Sequence, residues 1–396
     1  MKKNSSYSWV VLLAFFMVAG VSQMLWLNLA PLISQLQTMY DITAMEASLL
    51  LSVFPLLYVI LSMHSGSLVD HKGYKFSIGL GAILSAVGAC VRIYDQSYAV
   101  LMIAQIIMAI GQPYILNGIS KLVADWFDKD KIALATGLGT VGMFVGMALG
   151  LGLTPALVAS MGYQGAMMVF AAIAVVAAIL FMLLAKETEE ENNFLSSTGG
   201  WADIKLILKN KNFVAISLVS FWAQGYFIGF TTWLEPILGK QAVSIEDAGL
   251  VGALLIVGGI FGAIIIPAIS DKMKNRKIFL ILAAIASAAL TYPLCSMSDL
   301  NILFALGFLL DFFFLPGYAI LLAMSEEEIG PERAGAATAF LMMAGNVGGV
   351  LVIPAMEMIK GEADWMKAVY LAIGLLVVGG LLGTLSASAT YHKKSA

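Results

Sequence analysis

Gly66-Ser67-Leu68-Val69-Asp70-His71-Lys72-Gly73-Tyr74-Lys75 is a short polar break between two long apolar runs, and a partial second copy reads Pro267-Ala268-Ile269-Ser270-Asp271-Lys272 with Asn275-Arg276-Lys277 behind it. Asp70 and Asp271 stand 201 residues apart. Two more pairs share nearly that offset. Lys131-Ile132-Ala133-Leu134-Ala135-Thr136-Gly137 matches Arg333-Ala334-Gly335-Ala336-Ala337-Thr338-Ala339 at 202, and Pro113 matches Pro316 at 203. Agreement at three separate places argues for duplication of one unit half the length of the chain. In both copies an acid sits where an apolar helix would end, able to pair with cations or with the N-terminus of another helix.

Outward from these breaks the chain is apolar almost throughout. Its 396 residues are 60% hydrophobic and 12% charged, with a mean hydropathy of +0.90. One water-soluble core cannot hide that much apolar surface, so the chain needs lipid around it. Runs long enough for a helix to cross a bilayer fall at 9–36, 44–69, 76–94, 98–124, 131–160, 163–185, 213–238, 246–270, 277–297, 300–325, 332–359 and 365–390. The expected fold is all-α and integral to the membrane, with twelve transmembrane helices in two pseudo-symmetric six-helix halves. The expected division is an N-terminal bundle over 1–185, a linker over 186–212 and a C-terminal bundle over 213–396. The run from Trp9 to Leu36 is too long for the apolar stretch of a signal peptide and reads as a retained first span. In the linker an acidic run starting at Lys186 gives way to Trp201–Asn210, which has the pattern of an amphipathic helix lying on the membrane.

Positive residues set the orientation. Lys2, Lys3, Lys72, Lys75, Lys121, Lys129, Lys131, Lys274, Arg276, Arg333, Lys393 and Lys394 all fall on one side, which is expected to be cytoplasmic and to hold both termini. A multi-pass protein of the cell membrane follows, expected as a monomer. A net charge of -3 without a basic stripe excludes nucleic acid as a partner. Cys90 and Cys295 have no metal-ligand spacing around them and read as packing residues. No nucleotide-binding loop, HExxH, GxSxG or carboxylate dyad is present, so neither an enzyme nor a cofactor is expected. A receptor would need a soluble output domain, and the longest polar segment is the linker.

Carriers of this architecture bind solute near the bilayer midplane, between the halves. Polar and aromatic residues mid-span are therefore the candidate substrate-binding set: Trp26, Asn28, Gln112, Tyr114, Asn117, Gln224, Tyr226, Tyr318 and Asn346. Gln23 and Trp222 lie at similar depth. An amide in such a place bonds a neighbouring helix more often than a ligand. Trp26 and Tyr226 stand out because both avoid the interface that Trp and Tyr prefer, and their faces can attract a quaternary ammonium. Asp311, near the middle of span ten, is costly to leave ionised in lipid, so it reads as a coupling group for a proton or cation, or as a counter-charge to a cationic solute. A structural bond to a neighbouring helix explains it equally well. Gly142, Gly146 and Gly150 form a small-residue face on span five, answered by Gly345, Gly348 and Gly349 on span eleven. Arg92, near the outer end of span three, is expected to snorkel to the surface or to pair with Asp95.

The GxLxDxxGxK pattern over Gly66–Lys75 resembles the signature loop of the major facilitator superfamily, with His71 where that family usually has Arg. The resemblance covers essentially the whole chain. It implies a rocking carrier in which Gly66, Asp70, Gly73 and Lys75, with Asp271, Arg276 and Arg333, act in gating. Gln112-Pro113-Tyr114 through Trp126-Phe127, together with Trp26 and Pro316-Gly317-Tyr318, is similar to the feline leukaemia virus subgroup C receptor-related family. That family imports choline and ethanolamine and was earlier associated with haem. The narrower resemblance matches Trp26 to the tryptophan of the family's choline cage and puts Asn346 where the family has a glutamine. Span five, reading Gly139-Thr140-Val141-Gly142, lacks the glutamine the family carries there. The expected function is secondary active or facilitative transport of a small organic solute by alternating access, with a cationic amine such as choline as the implied substrate. Proton-coupled efflux of drugs or metabolites stays open, although Thr154-Pro155 replaces the Gly-Pro pair usual in such antiporters. Uptake of a small organic anion is disfavoured, since no Lys or Arg lies mid-span.

Overall fold

The computed structural model describes residues 6–94, 97–128, 131–186, 201–273, 275–330, 333–361 and 365–385. Lys2, Lys3, Asp95, Lys129, Lys274, Lys393, Lys394 and the acidic run of the linker beyond Lys186 lie outside them. Among the described residues every regular element is helical: α1 (Ser6–Leu27), a 3-10 turn (Ala30–Leu32), α2 (Ile33–Tyr40), α3 (Ala44–Val91), α4 (Tyr98–Leu116), α5 (Gly118–Trp126), α6 (Ile132–Leu184), α7 (Trp201–Ile207), α8 (Lys211–Gly239), α9 (Ile245–Met273), α10 (Arg276–Ser296), α11 (Leu300–Phe314), α12 (Pro316–Ile329), α13 (Ala334–Lys360) and α14 (Trp365–Leu385). Lipid offers the backbone no hydrogen bonds, so a spanning segment that closes its own ladder is the stable choice. Starts are marked in the sequence. Thr43 and Glu46 form a reciprocal capping box ahead of α3, and Asn210, Asn275 and Asp299 cap α8, α10 and α11.

Among the described residues ten stretches are long and apolar enough to cross a membrane, and two of them, Ala44–Val91 and Leu134–Leu184, run to 48 and 51 residues. Each of the two folds back on itself. In α3, Leu50 O accepts from Gln105 Nε2 at 2.8 Å while Gln105 Oε1 accepts from Arg92 Nη1 at 3.2 Å. A straight helix would hold Leu50 and Arg92 about 60 Å apart at 1.5 Å per residue, so the chain reverses between them. The turn is at Gly73, whose φ of 78° is open to glycine and strained for other residues. In α6 the same argument applies: Gly139 lies beside Phe15, yet Leu184 O accepts from Tyr7 Oη at 2.8 Å, and the break is at Gly162 with φ 73°. Each reversal divides its stretch into two arms.

The chain separates into two compact units, Met1–Thr198 and Gly199–Ala396. In the first, α1 packs along α6 and α3 along α4; in the second, α8 packs along α13 and α9 along α11. The repeat shows in detail. Gly146 on α6 meets the Gly20 carbonyl of α1, and Gly348 on α13, 202 positions later, meets the Phe221 carbonyl of α8. Gly142 and Gly150 meet the Phe16 and Met24 carbonyls on either side of Gly146, so the small-residue face of span five is a backbone-to-backbone seam. Exposed Leu13, Ile60, Ile103, Val176 and Leu183 in the first unit, and Phe261, Ile264, Leu351 and Leu381 in the second, give each unit the apolar exterior that lipid requires.

In α7, Ile204 and Ile207 are buried against the second unit, Ile207 in a cluster with Phe213, Ile216 and Leu341, while Leu206 and Leu208 beside them stay exposed. One expectation changes. Arg92 does not snorkel. Its side chain is 1% exposed and bonds inward to α1 and α4. Buried Asn28 and Gln105 offer it polar acceptors within the unit, which an outward turn would leave without their donor.

Candidate functional site

Pro113 sets the geometry of the candidate residues in the first unit. Proline has no N–H to donate and its ring clashes with the preceding turn, and the helix breaks one turn later, between α4 and α5 at Asn117. Four bonds tie the break to α3. Ser77 Oγ donates to Tyr114 O at 3.1 Å. Asn117 accepts on Oδ1 from Tyr58 Oη at 2.9 Å and donates through Nδ2 to Ser65 Oγ at 2.7 Å and Ser62 O at 3.1 Å. Each atom of that amide thus has a partner on α3.

At the edge of this cluster Tyr114 Oη lies 2.8 Å from Nδ1 of His64, with the rings edge to face. His64 is exposed on α3 and Tyr114 is buried. The sequence reading passed over His64, although an imidazole near the end of the apolar run 44–69 was visible as an exception. Deeper in the unit, Trp26 is 6% exposed. Its Nε1 donates to Leu51 O at 3.1 Å, and its ring lies 6.3 Å from that of Phe54. With the N–H anchored, what the indole can offer a ligand is its faces. Gln112 is buried with no partner on Nε2, and Gln23 on α1 likewise lacks one on Oε1. Asn28 accepts from Arg92 Nη1 at 3.1 Å.

In the second unit Tyr226 is 1% exposed. Its hydroxyl bonds Thr291 Oγ1 at 2.8 Å, and its ring stacks 5.4 Å from Phe230 and tilts 5.1 Å from Phe314. These contacts enclose Tyr226 within its own half. Gln224 lies across Gly345, one residue from Asn346, whose Nδ2 donates to Met342 O at 2.8 Å on the same helix. Tyr318 is half-buried at the start of α12. The break between α11 and α12 repeats that between α4 and α5, and Asp311 sits one turn ahead of it. Asp311 is 2% exposed, its Oδ2 has no hydrogen-bond partner, and Tyr226 is an electrostatic neighbour.

The candidate gating residues fall at the helix ends that the repeat marks. Arg276 clamps α10 to two neighbours, with Nη1 3.0 Å from Asp271 Oδ1 on α9 and Nη2 2.8 Å from Glu327 Oε1 on α12. The offsets of 201 and 202 carry Arg276 and Glu327 onto Lys75 and Asp125. There Asp125 is held by Lys121 at 3.0 Å on its own helix, so the two halves solve the same end differently. Gly66 is buried, Asp70 and Lys75 are half-buried, and Gly73 makes the reversal. Arg333 precedes α13 and is half-buried. Among the described residues no group of three or more His, Cys, Asp or Glu side chains could hold a metal.

These features have counterparts in known proteins. The sequence profile of the Major Facilitator Superfamily matches residues 11–353 and 236–395. An uncharacterized protein of Archaeoglobus fulgidus is 38% identical over 176 residues, covering 44% of this chain and 80% of its own length. The choline/ethanolamine transporter FLVCR2 of Rattus norvegicus is 24% identical over 376 residues, covering 88% of this chain and 68% of its own. Among solved structures, a bacterial homologue of the human lysosomal transporter Spinster superposes with a TM-score of 0.77 at 14% identity, covering 98% of both chains. The nucleoside transporter NupG gives 0.76 at 14%, covering 95% of this chain and all of its own. At such identity the structural likeness is one of fold. The profile match over most of the sequence, and relatives that are themselves carriers, place this multi-pass membrane protein among solute transporters and not among enzymes: the chain belongs to the Major Facilitator Superfamily.

Proposed function

We propose that this chain carries a small cationic amine of the choline or ethanolamine kind across the cell membrane by alternating access, with both termini cytoplasmic. The observation that carries the reading is Trp26. Its indole N–H is anchored on Leu51 O, which leaves the ring faces as its contribution to a ligand, and ring faces are what a quaternary ammonium uses. Support comes from the choline/ethanolamine transporters that match most of the chain. The buried carboxyl of Asp311, with one oxygen unpartnered, suits a coupling proton or cation, since an ionised acid in that setting is costly. Tyr114, Asn117, Gln112 and Asn28 in one half, and Gln224, Tyr226, Tyr318 and Asn346 in the other, complete the proposed recognition set. Gly66, Asp70, Gly73, Lys75, Asp271, Arg276 and Arg333 are proposed to act in gating at the helix ends.

Uptake of labelled choline and ethanolamine into proteoliposomes tests this. Saturable uptake that falls with Trp26→Ala is the expected result. Equal uptake by that variant removes Trp26 from the site, and failure of either amine to enter or compete removes the amine reading.

A further inference from the structure

Arg92 lies at the end of α3, where Leu25 of α1, Asn28 just beyond α1 and Gln105 of α4 converge on it. The hydroxyls of Tyr40, at the end of α2, and Tyr163, just after the Gly162 reversal, are its electrostatic neighbours. All three acceptors fall on one nitrogen: Nη1 donates to Asn28 Oδ1 at 3.1 Å, Gln105 Oε1 at 3.2 Å and Leu25 O at 3.4 Å. Gln105 is fixed in that orientation, because its Nε2 donates to Leu50 O at 2.8 Å. The other edge of the guanidinium is bare. Nε and Nη2 are buried without a hydrogen-bond partner, as is Nδ2 of Asn28. Among the described residues no carboxylate pairs with Arg92.

The bare edge is the one that matters for recognition. Nε and Nη2 carry parallel N–H groups that meet both oxygens of a carboxylate or phosphate at once. The neutral acceptors on Nη1 satisfy hydrogen bonds, yet they do not neutralise a charge that is 99% removed from solvent. We propose that the Nε/Nη2 edge of Arg92 is a binding site for a small soluble oxyanion of the carboxylate or inorganic phosphate class, enclosed within the first half. Asn28, which holds Nη1, also belongs to the proposed recognition set, but the site rests on none of the evidence for the amine and stands whether or not that reading holds. The chain around Leu25 and Asn28, the end of α3 and α4 meet at Arg92, so an occupant adds to a junction of three segments. Burial of both Nε and Nη2 favours a small ion over a lipid headgroup with its tails.

The test is thermal unfolding of the purified full chain in detergent, with chloride replaced stepwise by formate or by phosphate at constant ionic strength. The wild type is expected to show a saturable rise in Tm. Arg92→Gln should abolish the rise, and Arg92→Lys, which keeps the charge without the fork, should lose most of it. Asn28→Asp sets a carboxylate against Nη1 and neutralises the guanidinium from within: its Tm in chloride should exceed that of the wild type, and its response to formate should shrink. The proposal is overturned if the wild type shows no saturable rise, or if Arg92→Gln responds as the wild type does. Should Arg92→Gln fail to purify, an undiminished formate response in Asn28→Asp overturns it equally.

Discussion

Replacing Gly146 by alanine should loosen the first half measurably. Cβ atoms built on Gly142 and Gly150 fall 2.8 Å from the Phe16 and Met24 carbonyl oxygens, 0.6 Å short of the 3.4 Å at which ordinary contact begins. Gly146 lies between them, and its Cβ would meet the Gly20 carbonyl more closely still. The obstruction is backbone, so no rotamer change relieves it and α1 and α6 must part. Overpacking of this kind costs about 1–3 kcal/mol. Alanine also favours a helix over glycine by about 1 kcal/mol, which would mask part of the loss. Gly137→Ala on the same helix, with nothing within 4 Å of its Cβ, carries the same backbone gain without the clash. The difference between the two variants therefore reports the steric term alone. Thermal unfolding in detergent, followed by tryptophan fluorescence, should rank Gly137→Ala above the wild type and Gly146→Ala below it. If Gly146→Ala melts with or above Gly137→Ala, the seam between α1 and α6 is not as tight as described.

Three other outcomes are expected. Asn117→Ala removes the bonds to Tyr58, Ser62 and Ser65 and should destabilise by about 2–3 kcal/mol, against about 1 kcal/mol for Tyr58→Phe; equal effects in chemical unfolding would mean that the amide is not the hub. Gly162→Ala forces a side chain into φ 73° at about 1–2 kcal/mol, and a rise in melting temperature would refute the strained reversal. Asp311→Asn keeps the shape and removes the titratable group, so transport should lose its pH dependence while exchange across the membrane persists; an unaltered pH profile excludes Asp311 from coupling.

The halves, the spans and the repeat were legible because each rests on one-dimensional signals: run length, the polar breaks around Asp70 and Asp271, and the matched prolines Pro113 and Pro316. The two glycines that reverse α3 and α6 also fell in or near the gaps between apolar runs. Side-chain direction was far less accessible. In a membrane protein the lipid side and the protein side of a helix are both apolar, so α1 gives no amphipathic stripe from which the facing of Trp26 or Asn28 could be read. Arg92 was misread for this reason. Its partners Asn28 and Gln105 lie 64 and 13 positions away, and a cation near the end of a span ordinarily turns to water. Tyr226 shows the same limit, since its partner Thr291 is 65 positions distant.

Asn117 finds its partners on α3, Tyr226 on α10 and Arg276 on α9 and α12, each within its own half. This bears on biogenesis. When the ribosome has delivered residue 186 to the insertion machinery, the polar groups that staple the α4–α5 break already have everything they bond to, and need not wait for later synthesis. Two polypeptides severed within 187–200 and made together in one cell should therefore each mature, and a nascent first half should resist protease before the second is translated.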